Sequence, residues 1–323
     1  MCSLFGWLDY QGIIPHKVLR KLTQALANAA EERGTDAAGI SYIDEGKVVI
    51  YKRPKPAHKL HFNPPEGTKA VMGHTRMTTQ GNEKFNYNNH PFAGFAGDTS
   101  FAFAHNGVLW NDKELRKDKL IPDTHIETDS YAACQLIETQ DKLNFDSLKY
   151  MAETVEGNFT FTVLDDSNSL YIIKGSNPMC LLHFKDIGLY VYASTESIMK
   201  NALKRVGLHK FANERIITDE GDIIRIDRNG DITRSEFEPK LYRSKYMSWY
   251  DDPSYYNIHE EMLLAYCSCY GVDSSDVELL LEYGYTCDEI EEMLMDTNML
   301  HEALRDVKYM CGEDVYESYC GAF

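Results

Sequence analysis

The chain has 323 residues, of which 43% are apolar, and this length and composition predict a folded protein with a substantial core. Its formal charge of −17 is uneven: residues 251–323 carry a net −16 and residues 1–250 a net −1, which excludes nucleic acid and anionic membranes as partners. No signal-peptide pattern and no run of about 18 apolar residues occurs, so the sequence predicts a cytoplasmic protein without a membrane span.

In chain order, the first part of the sequence predicts a strand, a helix and a hairpin. SLFGWLDY, directly after Cys2, is typical of a strand. Pro15 can begin a helix with its apolar residues on one face, and Gly34 can end it. Two strands follow, AAGISYID and KVVIYKR, with Glu45-Gly46 predicting a tight turn between them. Residues 53–98 are rich in Pro, Gly, Asn and His and predict long loops around one short strand, AVMGHTR.

The next part of the sequence predicts a series of antiparallel strands. The strand TSFAFAHNG precedes a helix around DSYAACQLIET. Further strands are predicted at NFTFTVLDD, SLYIIKG, MCLLHF, GLYVYAS and DIIRIDRNG. Polar turns of two to four residues join several of them, whereas parallel strands need long crossovers. The sequence therefore predicts an α+β body with much antiparallel sheet.

The composition changes near residues 238–254, and we predict a body at residues 1–240 and an acidic helical extension at residues 241–323. Short amphipathic helices with Ser/Thr caps and Gly stops are predicted at HEEMLLAYCSCYG, SSDVELLLEYG and TCDEIEEMLMDTNMLHEALRDVKYM. The acidic extension is either a docking surface for a basic protein or a solvated face that keeps the chain soluble.

Eight cysteines are spread over a long chain without a secretion signal, which favours reduced thiols. The last quarter of the chain contains five of these cysteines and two histidines: Cys267, Cys269, Cys287, Cys311, Cys320, His259 and His301. Their spacings match no zinc pattern, so buried free thiols are preferred to a metal site. We expect neither a metal nor a cofactor.

Cys2 directly follows the initiator methionine. Because cysteine is small, we expect Met1 to be trimmed, which would leave one residue with both a thiol and a free α-amine. An α-amine has a pKa near 8, so part of it is neutral at physiological pH and can act as a general base beside the nucleophile. One residue could thus do the work of a Cys–His pair.

Four further segments accompany Cys2: EERGTDAAGI, GHTRMTTQG, AHNG and IETDSYA. In order and spacing this set resembles the glutaminase domain of the class II (N-terminal nucleophile) glutamine amidotransferases, most closely that of glucosamine-6-phosphate synthase. The likeness continues through NNHPF, VEGNFTFTVLDD, GSNPM, YASTES and DEGDIIRID and covers roughly residues 2–235. It implies a four-layer αββα N-terminal-nucleophile (Ntn) hydrolase sandwich, which agrees with the predicted strand order.

The resemblance also implies roles for individual residues. Cys2 would be the nucleophile, and the Asn106 side chain and Gly107 backbone N–H would stabilise the tetrahedral oxyanion. Arg76 would bind the α-carboxylate of the substrate, as suits a planar guanidinium, and Asp129 would bind its α-ammonium.

Two further residues match the family pattern: Thr79 would line the glutamine pocket, and Arg33 would order the loop near the nucleophile. Two positions depart from it. Met77 stands where the family has Trp and Gln80 where it has His, so the lid loop is expected to close differently.

The resemblance implies hydrolysis of L-glutamine to glutamate and ammonia through a γ-glutamyl thioester. In place of the acceptor domain of a full synthase, the acidic extension follows the glutaminase-like body. Ammonia would therefore pass to an acceptor on a partner protein docked at that extension. The alternatives are a related amidase acting on another γ-glutamyl or small amide, and a non-catalytic protein that senses glutamine or binds a partner.

Taken singly, each motif has a simpler interpretation. Arg76 and Asp129 could form surface ion pairs. Asn106-Gly107 could be a hairpin turn, and Arg33-Gly34 a helix end.

Overall fold

The computed structural model describes residues 2–239 and, beyond them, residues 263, 267, 272–285, 289–290, 293 and 297–310. The chain divides into two compact units, Met1–Tyr242 and Arg243–Phe323. No helix in the described part of the chain is both long enough and apolar enough to cross a bilayer.

The described residues of the first unit form thirteen strands and five α-helices. The strands are β1 (Ser3–Asp9), β2 (Ala37–Asp44), β3 (Lys47–Arg53), β4 (Ala70–Arg76), β5 (Phe92–Ala96), β6 (Thr99–Leu109), β7 (Gly157–Asp165), β8 (Leu170–Lys174), β9 (Cys180–Phe184), β10 (Leu189–Ala193), β11 (Glu214–Ile216), β12 (Asp222–Ile226) and β13 (Ile232–Glu236). The helices are α1 (His16–Ala30), α2 (Asp112–Lys117), α3 (Asp129–Glu138), α4 (Phe145–Thr154) and α5 (Glu196–Val206).

The strands form two sheets in which every described pairing is antiparallel. The first has seven strands in the order β11-β9-β10-β1-β4-β2-β3, and the second has six in the order β13-β12-β8-β7-β6-β5. The predicted antiparallel α+β body is confirmed. The predicted turn at Glu45-Gly46 is also confirmed: both residues have positive φ, 49° and 73°, as a tight hairpin turn requires.

Alternation along β1 shows how the layers form. Phe5 and Trp7 face the helices α1 and α5 in one core, whereas Leu4 and Leu8 lie in the core between the two sheets. Successive side chains of a strand point to opposite faces of the sheet, so the sequence of a strand that is buried on both faces is a continuous apolar run. The Trp7 indole also donates a 2.8 Å hydrogen bond to Thr23 of α1.

A third core lies between the second sheet and the helices α3 and α4. Helix, sheet, sheet and helix therefore stack as four layers, in agreement with the expected αββα sandwich. The prediction of loops throughout residues 53–98 was wrong at Phe92–Ala96, which forms β5. Its pattern of alternating buried and exposed residues spans only five residues and includes a glycine.

The second unit contains the helices α6 (Ser274–Tyr283) and α7 (Thr297–Met310). Asp273 caps α6 by accepting a hydrogen bond from the Ser275 backbone N–H, and Gly284 ends it with a positive φ of 114°. Described core residues of this unit are Leu263, Cys267, Val277, Leu280, Ile290, Leu300, Ala303, Leu304 and Val307. The predicted helix HEEMLLAYCSCYG lies mostly outside the described residues.

Candidate active site

The register of the first sheet brings Cys2 beside Arg76. Ser3 of β1 pairs with Thr75 of β4, so the next positions at this end of the antiparallel pair are Cys2 and Arg76. On the other side of β4, Ala37 pairs with Arg76. The start of β1, the end of β4 and the start of β2 therefore meet at one end of the sheet.

The Cys2 thiol lies against this sheet end. Its Sγ donates to the Met77 carbonyl at 3.5 Å. Burial raises the pKa of the Cys2 thiol, and the positive charge of Arg76 offsets part of that rise, while Asp129 adds to it. The thiol is thus protonated at neutral pH, and a nucleophilic thiolate would require a base to remove the proton.

Arg76 is almost fully buried and has a fixed orientation. Its guanidinium donates to the Asn89 side chain at 2.7 Å and to the backbone carbonyls of Gln80 and Gly81. Burial lowers the pKa of Arg76, and the nearby Cys2 and Asp129 groups oppose that shift. The interpretation as a surface ion pair is wrong for Arg76, which is only 3% exposed.

Asn106 and Gly107 lie inside β6 of the second sheet, so their interpretation as a hairpin turn is wrong. Gly107 has a φ of 148°, and a Cβ built on it would lie 1.8 Å from the Asn158 carbonyl oxygen. A glycine is therefore required at this position. Asn106 is buried, and its carbonyl accepts a 2.8 Å hydrogen bond from Asn177.

Asp129 is the first residue of α3 and is 3% exposed, so it too is no surface residue. Its Oδ2 accepts a 2.6 Å hydrogen bond from the Leu109 backbone N–H, which joins α3 to the end of β6 just beyond Gly107. Its Oδ1 makes a longer contact of 3.4 Å with the Ser130 hydroxyl. Asp129 lies in the first turn of α3, where the helix N-terminus favours a negatively charged group.

The segment 77–81 follows β4 and borders the site. Thr79 is an exposed residue of this segment and lies in the sequence between Arg76 and Gln80, whose backbone carbonyl Arg76 binds. The Met77 side chain is 52% exposed while its carbonyl faces the Cys2 sulfur, so the departure from Trp leaves that backbone contact in place. Gln80, where the family has His, donates its side-chain amide to Asp112 at 3.1 Å.

Arg33 contacts the nucleophile residue directly. Its Nε donates a 3.0 Å hydrogen bond to the Cys2 carbonyl. The residue lies in the turn that follows α1, so the interpretation as a helix end is correct for its position. The structure thus groups Arg33, Arg76 and Asp129 around Cys2, with the segment that carries Thr79 at the border.

Ser194, which the sequence analysis did not single out, connects the two sheets at the site. Its hydroxyl accepts a 2.8 Å hydrogen bond from the Leu4 backbone N–H, and its own N–H donates to the Leu4 carbonyl at 2.9 Å. The Asn106 side-chain nitrogen lies 3.5 Å from the same hydroxyl. One buried hydroxyl therefore contacts both the strand that follows Cys2 and the strand that carries Asn106.

Three buried histidines, His74, His90 and His105, lie near the candidate site residues. The His74 and His90 rings pack with centroids 4.1 Å apart and planes tilted by 30°, and His74 Nε2 donates to the His105 carbonyl at 2.9 Å. His105 Nδ1 lies 2.8 Å from the Ser130 hydroxyl. Burial lowers the pKa of His74 to about 3 and that of His105 to about 4, and it also lowers the pKa of His90. All three imidazoles are therefore neutral at pH 7.

No family model matches the chain. The glutamine–fructose-6-phosphate aminotransferase (isomerizing) of Staphylococcus epidermidis is 28% identical over 188 residues, which cover 55% of this chain and 30% of that protein. The glutamine phosphoribosylpyrophosphate amidotransferase of B. subtilis, complexed with ADP and GMP, matches with a TM-score of 0.57 at 20% identity. The match covers 76% of this chain and 52% of that one. The chain has the fold of the class II, Ntn-type glutamine amidotransferases.

A second solved structure, of an allosteric regulatory enzyme of purine biosynthesis, supports the same amidotransferase fold with a TM-score of 0.58 at 20% identity and the same coverage of both chains. The resemblance found in the sequence is therefore confirmed at the level of the fold. The matched segments span about a third to a half of these relatives' own lengths.

Among the described residues, no group of three or more His, Cys, Asp or Glu side chains could hold a metal ion. Cys267, from the cysteine-rich last quarter, is buried and forms no disulfide among the described residues. Cys269, Cys287, Cys311, Cys320 and His259 lie outside the described residues.

Proposed function

We propose that residues 1–240 form a glutaminase domain that hydrolyses the side-chain amide of L-glutamine, giving glutamate and ammonia. The observation that supports the proposal is that Cys2 and Arg76 lie at one end of the first sheet, where the Asp129 charge acts on the Cys2 thiol and the Ser194 hydroxyl contacts both the strand after Cys2 and Asn106. In this proposal a nucleophile, a cation, an anion and the oxyanion donors Asn106 and Gly107 border one space. That set of groups fits a zwitterionic amino acid with a reactive side-chain amide.

The mechanism begins with the Cys2 proton. Because burial raises the pKa of the thiol, a base is needed, and removal of Met1 would supply the α-amine of Cys2 itself. The amine takes the thiol proton as sulfur attacks the amide carbon. The Asn106 side chain and the Gly107 N–H donate to the oxyanion, a contribution of about 2.7–4 kcal/mol per donor.

Collapse of the tetrahedral intermediate breaks the C–N bond. The protonated amine gives its proton to the departing nitrogen, which leaves as ammonia, and a γ-glutamyl thioester remains on Cys2. The same amine then removes a proton from water, which attacks the thioester through a second oxyanion. Glutamate leaves as the proton returns to the sulfur, so the Cys2 residue is restored.

Substrate charge provides the direct test of this function. We expect L-glutamine to be hydrolysed, and kcat/KM to fall by about 100-fold or more for N-acetyl-glutamine and for the α-methyl ester of glutamine. The N-acetyl compound lacks the α-ammonium that would face buried Asp129, and the ester lacks the α-carboxylate that would face buried Arg76. Glutamate and ammonia release would be measured for all three compounds. Equal turnover of the two blocked compounds would identify an amidase of broader substrate range. No turnover of any of the three compounds would support the alternative of a non-catalytic protein that senses glutamine or binds a partner.

The destination of the ammonia is the second part of the proposal. We propose that the acceptor is supplied by a partner protein with a basic surface. The acidic extension, residues 241–323, is the proposed docking surface, since residues 251–323 carry a net charge of −16. A cytoplasmic location fits the absence of disulfides among the described cysteines, which include Cys2, Cys134 and Cys180.

Ser194→Ala is expected to lower kcat for glutamine by about 10- to 100-fold while KM changes little, because the hydroxyl positions Asn106, which acts mainly on the transition state. Steady-state kinetics and a thermal melt would be recorded together. Ser41→Ala is the matched control, since Ser41 is equally buried and its hydroxyl has no hydrogen-bond partner in the described part of the chain. Wild-type kcat in Ser194→Ala would show that Ser194 has no positioning role.

A further inference from the structure

The outer face of the seven-stranded sheet carries a groove beside α5, on the edge formed by β9 and β11. Its volume is about 470 Å³. The groove is lined by Cys180, Leu182, Glu196, Met199, Lys200, Leu203, Lys204, His209, Asn213 and Arg215. None of these residues belongs to the candidate active site.

The groove exists because the sheet extends beyond the helix that covers it. Helix α5 packs on the sheet through its buried residues Ile198, Met199, Ala202 and Leu203. The strand β11, only three residues long, lies at the sheet edge outside β9. Between them, the described residues leave a floor formed by the apolar side chains of Cys180, Leu182, Met199 and Leu203.

The two sides of the groove carry cations from separate elements. Leu182 of β9 pairs with Arg215 of β11, so both side chains point to the α5 face of the sheet. On α5, Glu196, Lys200 and Lys204 are spaced four residues apart and therefore lie along one face of the helix. Lysines of α5 thus face the arginine of β11 across the groove.

These charges leave an excess of positive charge over the floor. Glu196 is the one acid of the lining, and it pairs with both Lys200, at 3.0 Å, and Arg215, at 2.5 Å. Lys204 makes no ion pair among the described residues and is exposed. Three cations therefore face a single carboxylate, and the Lys, Arg and Glu side chains of the lining sum to a formal charge of +2.

We propose that this groove binds a small free amphipathic anion, with its apolar part on the floor and its carboxylate beside Lys204 and Arg215. A volume of about 470 Å³ falls within the range of roughly 300–1,000 Å³ that small-molecule sites occupy. A protein partner would need about 800 Å² of surface on each side, far more than the floor offers. An apolar floor with a few charged groups at its rim is the composition of such sites.

The test is calorimetric titration of the full chain with decanoate. Two control compounds are titrated in the same way: acetate, which has the carboxylate without the apolar tail, and decyltrimethylammonium, which has the tail with a positive charge. We expect one saturable decanoate site and no comparable binding of the other two. Lys204→Glu is expected to weaken decanoate binding at least 10-fold. Leu182→Glu, which places a charge on the half-buried floor, should abolish it. Lys17→Glu, a charge reversal at an exposed position of α1, is the matched control and should bind normally.

Several results would overturn the proposal. These are no saturable decanoate binding, equal binding by Lys204→Glu and Lys17→Glu, and binding only to vesicles of anionic lipid. A fourth is concentration-dependent dimerisation in sedimentation that Lys204→Glu removes, because a second copy would then cover the groove. None of these readouts depends on glutamine hydrolysis, so the outcome is independent of the proposed function.

Discussion

Cys2→Ala is expected to reduce glutamate release from glutamine to the uncatalysed background, a loss of about 10⁴-fold or more. The reason is specific to this position: the Cys2 thiol lies near Arg76 and within reach of the Asp129 charge. Glutamate and ammonia would be quantified together. Hydroxylamine added to the wild-type protein should trap the thioester as γ-glutamyl hydroxamate, and no hydroxamate should form with Cys2→Ala.

The control for thiol loss is Cys134→Ser. Its sulfur is buried beneath the second sheet and lies 4.0 Å from the Ala93 carbonyl, to which a serine hydroxyl can donate. We expect this variant to keep most of the activity. Retention of full activity by Cys2→Ala, with Cys134→Ser behaving as wild type, would exclude a thioester on Cys2.

The roles of the sulfur and the α-amine can be separated with a cleavable N-terminal fusion. A fusion keeps the Cys2 thiol but converts its amine to an amide, which cannot act as a base. It should therefore be inactive, and activity should return when a protease exposes Cys2 as the first residue. Intact mass of the native protein should show that Met1 has been removed. Full activity in the uncleaved fusion would show that another group takes the thiol proton.

The sequence predicted the strands of this fold well because their signals are local. The two-sided apolar runs around Phe5 and Phe161 and the tight turn at Glu45-Gly46 depend on neighbours within a few residues. Helix α5 was not predicted although its ends carry signals: Thr195 caps it by accepting from the Ile198 N–H, and Gly207 ends it with positive φ. Strand β11 has only three residues, too few for a period to be recognised. Strands β5 (FAGFA) and β13 (ITRSE) lack the nearly continuous apolar run that marked the other five-residue strands.

The candidate site was predicted through motifs, and its contacts were not. The sequence places Arg76 in GHTR but gives no indication that Asn89, thirteen residues later, holds its guanidinium. Ser194 is 88 residues from Asn106, and only the stacking of the two sheets brings them together. The interpretation of Arg76 and Asp129 as surface residues failed for the same reason, since burial is decided by distant segments that cover them.

Acid is expected to unfold the first unit cooperatively between about pH 5 and pH 3, because of its three buried histidines. Burial lowers the folded-state pKa of His74 to about 3 and of His105 to about 4, and it also lowers that of His90, whereas an unfolded histidine has a pKa near 6.5. Below pH 6.5 the unfolded chain therefore binds more protons than the folded one. The free energy of unfolding then falls as the pH falls, by up to about 1.4 kcal/mol per pH unit for each histidine.

Three histidines together give a slope of up to about 4 kcal/mol per pH unit below pH 6.5 and none above it. Part of this slope is offset by carboxyl groups such as Asp9 and Glu138, because burial raises their pKa. Such groups bind protons more readily in the folded chain and therefore favour the folded state in acid. A total stability of about 5–15 kcal/mol would thus be lost within a few pH units. Urea unfolding followed by near-ultraviolet circular dichroism at pH 7.5, 6, 5 and 4 would measure the slope.

His90→Phe tests which residues produce this slope. Neither ring nitrogen of His90 has a hydrogen-bond partner in the described part of the chain. The ring packs against the tilted His74 ring on one side and meets the Phe92 ring edge-on, so a phenyl ring can replace it without losing a hydrogen bond. The variant should keep its stability at pH 7.5 and lose about one third of the slope, because one of three protons is no longer taken up. His61→Phe, at an exposed position, should keep the full slope. An unchanged slope in His90→Phe would assign the acid sensitivity to groups outside the buried cluster.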